Sequence, residues 1–335
     1  MNRVLIPVSL SAPPVPLAAD ARVHRWGGET MGTTWSVVAV LPPSANGGGI
    51  LQGIQAVLDG VIAQMSNWVP DSDLSRFNRA APGSWHALPD DCFHVLQTAL
   101  QVARDSGGAY DPSAGPLVDL WGFGPAPRRD TPPSADQVAQ ARQQCGWARI
   151  ELDIGARRAQ QPGGVSLDFC AIAKGFAVDA VARYLDAQGL SHHLTEIGGE
   201  LRGHGVKPDG MPWWVALEAP PGVQRESDEQ TLVALHGLSV ATSGDYRRFF
   251  DSGGRRYAHT IDPRTGYPAS HALASVTVLH AQCMMADALS TALTVLGPQA
   301  GMEHARRHGI AACFLVRHPD GFDEHLSPAF AAMLA

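Results

Sequence analysis

The sequence predicts an α+β fold, mixed sheets packed with helices, on three observations. Strand-like and helix-like segments are mixed without strict βαβ alternation, which argues against a doubly wound parallel sheet. Leu51, Ile54, Val57, Leu58, Val61, Ile62 and Met65 recur at helical spacing, whereas residues 33–40 turn to β-branched types. The chain has 335 residues and 45% hydrophobic composition, enough to bury a large core in one domain or two interleaved lobes.

Residues 1–25 read as a tail or a degenerate signal segment, and 26–335 as a single domain. Under the signal reading, cleavage falls near residues 18–21, but the apolar core is short and Pro7 breaks it. A strand follows at 33–40, and then a Pro/Gly/Ser/Asn loop at 42–49. The helix through Leu51 and Met65 comes next. A second helix runs from about 90 to 106, where Gly107 and Gly108 stop it. Residues 125–133 form a loop, and 131–144 restart a helix with Ser134 and Gln137 spaced as a capping box. A short strand at 165–168 feeds a helix at 174–188. Strands are expected at 193–197, 213–218, 232–235 and 274–280. Helices at 285–296 and 299–308 precede a last strand at 310–316.

The bulk numbers exclude several classes. Net charge is −7 without a basic patch, so nucleic acid is not an expected partner. No apolar stretch is long enough to span a membrane. Cys92, Cys145, Cys170, Cys283 and Cys313 are dispersed without CxxC spacing, against a disulfide framework or a cysteine zinc site. His304 and His308 are four apart, but Arg306 and Arg307 lie between them and no third ligand is evident, so they read as a solvated helix face. His192 and His193 read as a surface feature.

The chemistry is concentrated in a few segments. Residues 257–268 set His259 beside a rigid Asp262-Pro263-Arg264-Thr265-Gly266 turn. Asp287 and Thr291 are four apart in an apolar helix, so their oxygens share a face. Hard oxygens converging in this way suit magnesium, and magnesium suits phosphate. The competing reading makes Asp287 a helix cap. Residues 167–175, with Asp168 and Lys174, resemble a strand end turning into a helix, whose N–H groups bind phosphate oxygens. An ordinary loop with a capping Asp and a solvated Lys fits equally. Gly107-Gly108-Ala109-Tyr110-Asp111 and the aromatics after Gly115 suit a pocket for a flat ring, or a turn over core aromatics. Trp68 is either a stacking platform or core. Gly198-Gly199-Glu200 reads as a turn that permits close backbone approach.

Together these motifs resemble one family, the flavin transferases of the ApbE type, which attach FMN from FAD to a threonine of a target protein. The resemblance runs from Glu29-Thr30-Met31-Gly32-Thr33 to Thr291-Ala292-Leu293. It is most specific at Thr242-Ser243-Gly244-Asp245-Tyr246, at residues 259–268 and at 286–291. It implies an ApbE or T-fold-like architecture with the FAD site between two lobes. It also implies FAD contacts at Met31, Trp68, Ala109, Tyr110, Asp111, Asp168, Lys174 and Ile261. Magnesium falls to Asp287, Thr291 and the main-chain carbonyl of Ala171, which has no side-chain oxygen. Some relatives carry a further carboxylate where this chain has Ser290, which leaves fewer anionic ligands here. His259 corresponds to a histidine implicated in transfer, with Asp262 a second candidate base or a group that orients it.

The implied reaction is Mg²⁺-dependent transfer of FMN from FAD to an acceptor flavoprotein with a Ser/Thr-Gly-Ala-Thr-like segment, releasing AMP. Two alternatives stay open: an FAD pyrophosphatase yielding FMN and AMP, and a non-catalytic FAD-binding protein. Family members are often periplasmic and lipid-anchored. No cysteine follows the N-terminal segment, so the compartment stays open between cell envelope and cytoplasm.

Overall fold

The structure, a computed structural model, describes residues 3–9, 13–18, 20–43, 45, 47–220 and 230–335. Its centre is an eight-stranded sheet in the order Gly321–Leu326, Ala311–His318, Leu273–His280, Leu238–Gly244, Glu200–His204, His193–Ile197, Thr33–Leu41 and Arg22–Thr30. Every neighbouring pair in it is antiparallel.

Strand alternation divides the core in two. On Thr33–Leu41, Trp35, Val37, Ala39 and Leu41 face one cluster, and Val38 and Val40 face the other. The larger cluster packs the sheet against the helices Gly47–Met65, Asp90–Asp105, Ala173–Ala187 and Cys283–His308. Ile54 and Leu58 are fully buried there, each stabilising by about 1.5–3 kcal/mol. The opposite face is covered by Trp213, Val233, Leu235, Phe330 and Met333. A satellite cluster joins Leu117, Trp121, Val138, Ala141 and Ile261.

Most expected elements are present. The capping box forms at Ser134 and Gln137. The last two helices are continuous in hydrogen bonding from Cys283 to His308 but break at Gly297 (φ 79°, ψ 178°), just before Pro298. Glycine tolerates that φ, and proline has no N–H for the preceding turn.

Three expectations need correction. The segment read as a tail includes Arg3–Leu5, paired parallel with Thr231–Leu235, and Leu5 is fully buried. The strand Arg22–Thr30 begins inside the same segment, and its exposed, polar edge position hides the strand period. The strand expected at 165–168 is only a single bridge from Ser166 to Ala114. Finally, His192 and His193 are not surface features: they are 6% and 0% exposed.

Candidate active site

Register places several chemistry-bearing turns at one end of the sheet. Thr30 pairs with Thr33 across the Met31-Gly32 turn, Ile197 with Glu200 across Gly198-Gly199, and the strand Leu238–Gly244 ends there, with Ser243 its penultimate residue. The start of helix Ala173–Ala187 meets the first turns of helix Cys283–His308 at this end. Gly175 permits the approach, since a Cβ there would lie 2.4 Å from the Cys283 carbonyl oxygen.

Asp287 is 4% exposed, and its Oδ2 accepts from the Gly175 N–H at 3.0 Å. It therefore does not cap its own helix, whose N-cap is Gln282. It ties down the N-terminal turn of the neighbouring helix, where the N–H groups lack intrahelical partners. Asp287 Oδ1 accepts no hydrogen bond among the described residues. One turn on, Thr291 Oγ1 lies 3.1 Å from Ser243 Oγ, which is also 2.8 Å from Ser290 Oγ.

Lys174 points into the same cluster, with Nζ 2.5 Å from Glu200 Oε1. Burial opposes the lysine charge, but Glu200 and Asp287 beside it outweigh burial and raise its pKa. Burial also raises Asp287, and it pushes Glu200 up to about 7, against the opposing pull of Lys174.

Asp168 precedes this helix. Its Oδ1 accepts from the Cys170 N–H at 2.7 Å and its Oδ2 from Asn67 Nδ2 at 3.0 Å. Asn67 sits beside Trp68, which is 54% exposed and so is not core but an open aromatic face. Ala109 and Tyr110 are buried behind the Gly107-Gly108 turn, both glycines having positive φ. The Tyr110 hydroxyl is buried without a hydrogen-bond partner. Burial, then Asp287, Asp168 and Asp111, push its pKa well up, so it stays a donor. Asp111 Oδ1 accepts from the Ser113 N–H and hydroxyl at 2.7 and 2.6 Å, and burial raises its pKa. Asp111 also lines a cavity of about 470 Å³ formed with Gly107, Gly108, Trp147 and Arg264; no other sequence-predicted site residue lines it. Met31 takes φ 49° in the tight turn before Gly32. A non-glycine residue there costs about 1–3 kcal/mol, a strain that marks functional turns.

His259 is half-buried, and its Nδ1 lies 3.2 Å from the Arg248 carbonyl. A carbonyl only accepts, so Nδ1 carries the proton and Nε2 the lone pair. Burial first, then the Arg248 cation, pull its pKa down to about 4, so the ring is neutral at pH 7. Lys174 is near enough for its charge to add to that shift. Asp262 does not orient His259. Both its carboxylate oxygens accept from Arg264, Oδ1 from Nε and Oδ2 from Nη2 at 2.9 Å each, and its carbonyl closes the turn at Gly266. Ile261 is buried in the satellite cluster with Trp121.

Sequence reasoning missed Glu200, Ser243 and Asn67 as individual contributors, although Glu200 and Ser243 lie inside motifs already singled out and Asn67 directly precedes Trp68. Glu200 is 4% exposed, and its Oε2 has no hydrogen-bond partner. Glu200→Ala leaves Lys174 without its ion-pair partner and is expected to cost about 3–5 kcal/mol. A denaturant-unfolding cycle with Lys174→Met checks this: purely additive losses would show that the two residues are not coupled.

The donor set fits a hard cation. It consists of oxygens only, one carboxylate and clustered hydroxyls, with Asp287 Oδ1 uncommitted. The orphaned Tyr110 hydroxyl nearby fits a polar ligand such as a flavin nucleotide.

Comparisons with known proteins place the chain among relatives. The ApbE family profile matches residues 31–314. The FAD:protein FMN transferase of Vibrio cholerae is 38% identical over 315 residues, covering 94% of this chain and 93% of its own. That of Haemophilus influenzae is 38% identical over 317 residues, covering 93% and 91%. The crystal structure of Pseudomonas stutzeri flavinyl transferase ApbE in its apo form superposes with a TM-score of 0.86 at 41% identity, covering 93% of this chain and 97% of that one. The flavin transferase ApbE of Vibrio cholerae superposes with a TM-score of 0.86 at 37% identity, covering 94% and 100%, as does a form with a histidine replaced by glycine. With the motifs, the fold and the relatives all converging, this chain belongs to the ApbE family.

Proposed function

We propose that this chain transfers FMN from FAD to a threonine hydroxyl of an acceptor flavoprotein and releases AMP. The observation that carries the reading is the convergence of Asp287, Lys174 and the Gly175 N–H at one helix start. Its support from relatives is their naming as FAD:protein FMN transferases.

In this reading the FAD pyrophosphate lies against residues 168–175, where Lys174 and the helix N-terminus offset its charge. Trp68 offers a ring face, and Tyr110 donates to a polar atom of the nucleotide. Magnesium, held by Asp287, Thr291 and the Ala171 carbonyl, would neutralise charge on the leaving pyrophosphate oxygen. The acceptor hydroxyl oxygen attacks the phosphorus on the riboflavin side. A new O–P bond forms, the bridging P–O bond breaks, and AMP leaves with its electron pair. His259 Nε2 takes the hydroxyl proton, while Nδ1 stays on the Arg248 carbonyl. The acceptor carries a Ser/Thr-Gly-Ala-Thr-like segment and meets the exposed side of this site.

Mass spectrometry of such an acceptor, incubated with the protein, FAD and Mg²⁺, is expected to show one added FMN on threonine, abolished by chelation. Free FMN and AMP beside an unmodified acceptor would replace transfer with hydrolysis; intact FAD would overturn both.

A further inference from the structure

The other end of the same helix and hairpin carries a second cluster with no part in the reaction above. Helix Ala173–Ala187 ends at Asp186–Ala187, and the hairpin whose turn is Gly198-Gly199 closes at its far end on the pair His193 and His204. Directly paired residues project from one face of a sheet, so both imidazoles meet the helix end. The cluster is roughly 18 Å from Lys174 along the helix and roughly 13 Å from Glu200 along the hairpin.

His193 Nε2 lies 3.3 Å and His204 Nδ1 3.0 Å from the same oxygen, Asp186 Oδ1. The three potential ligand atoms all lie within 4.8 Å of one another. A tetrahedral site with bonds of about 2.0–2.1 Å has edges of about 3.3 Å, close to the two spacings found. The rings are held in place. His193 is fully buried, and His204 stacks on His236 with centroids 5.4 Å apart at 11°. The His204 carbonyl accepts from Trp213 Nε1 at 2.7 Å. His193 Nδ1 is buried without a partner, so this ring's polar contact in the structure is made through Nε2, towards the cluster. The helix C-terminus adds a partial negative charge that favours a cation. Asp186 and His204 are partly exposed, with side chains 42% and 36% accessible, which leaves an open fourth position and an entry path.

We propose that Asp186, His193 and His204 form a second metal site, selective for a divalent transition ion such as zinc, that clamps the helix end to the hairpin. Two imidazoles and one carboxylate suit zinc, whereas the all-oxygen cluster at Asp287 suits magnesium. On binding, each imidazole gives a nitrogen lone pair to the ion, and the N–H proton now facing Asp186 moves to the other ring nitrogen.

Cobalt is the probe, added to the metal-stripped full-length protein in excess Mg²⁺ so that the oxygen site is filled. One equivalent is expected to bind with the visible d–d bands of a tetrahedral ion, and zinc should displace it. Asp287→Asn should retain those bands. His204→Ala and Asp186→Asn should lose them, with affinity falling by more than the roughly 10–100-fold typical of a lost outer-shell partner. Zinc should raise the melting temperature of the parent protein but of neither variant. Two variants are used so that if circular dichroism shows one unfolded, the other decides. Absence of the bands from the parent protein, or undiminished bands in a folded variant, would overturn the site. FMN transfer by His204→Ala in Mg²⁺ should match the parent, which keeps this outcome separate from the catalytic assignment.

Discussion

Asp287→Asn is expected to abolish Mg²⁺-dependent FMN transfer, a loss on the order of 10²–10³-fold or more, while the fold is kept or even stabilised. The two halves of this expectation come from the same burial. Asp287 is enclosed, and burial raises its pKa above the usual carboxylate value. A raised acid pKa means that folding favours the protonated form. The stability it contributes is present below the unfolded pKa and is lost as pH rises through the folded one. Wherever the carboxylate is charged, its burial is therefore a cost. Asparagine removes that cost, and its amide oxygen can still accept from the Gly175 N–H. Transfer is followed across an Mg²⁺ titration, with melting temperature measured in parallel. Parent-like transfer at every Mg²⁺ concentration would remove Asp287 from the metal site. A large fall in melting temperature would assign it instead to holding the two helices together.

What the sequence exposed and what it concealed differ in physical kind. Helices with a regular apolar stripe were legible to within a few residues: 51–65 was recovered within Gly47–Met65, and the Ser134/Gln137 box was found as spaced. Elements lacking that contrast were not. The central strand Leu238–Gly244 reads LSVATSG, with small and polar residues such as Ser239 fully buried because the sheet is covered on both faces. The edge strand Arg22–Thr30 is exposed at most positions, so nothing enforces alternation. The site followed the same rule. Asp287, Thr291, Lys174 and Asp168 stand in motifs, so spacing or resemblance singles each out, and the structure brings Asp287 and Lys174 to one helix start. Glu200 escapes a sequence reading because its importance comes from tertiary contact: a glycine turn brings it under Lys174, which lies 26 residues earlier in the chain. Asp262 shows the opposite error. It lies three residues from His259 in sequence, yet its carboxylate is committed to Arg264. The buried His193 was dismissed because a histidine pair in a polar stretch carries no sign of burial, which only strand pairing supplies.

His259→Ala is expected to lower transfer by about 10²–10⁴-fold, the range for a positioned acid or base, with FAD binding within about threefold of the parent by flavin fluorescence. The ring is free to accept a proton at neutral pH. Burial and Arg248 bring it down to about 4, so it is a neutral base throughout the physiological range. The stability this group contributes is accordingly present above its ordinary pKa of 6.5 and is lost as pH falls from there towards 4. A structural histidine would share that acid sensitivity, so stability alone cannot identify the base. Arg248→Ala separates the two roles. The Nδ1 proton is taken by the Arg248 main-chain carbonyl, so the substitution removes the cation while keeping the hydrogen bond. His259 should then titrate closer to 6.5, and the acid limb of kcat/KM for FAD should move up in pH with it. That limb should be absent from the residual activity of His259→Ala, and added imidazole should restore part of the rate. A loss under about threefold in His259→Ala, or an acid limb unmoved by Arg248→Ala, would reduce His259 to a structural residue beside the Phe123 ring and leave the proton to another group.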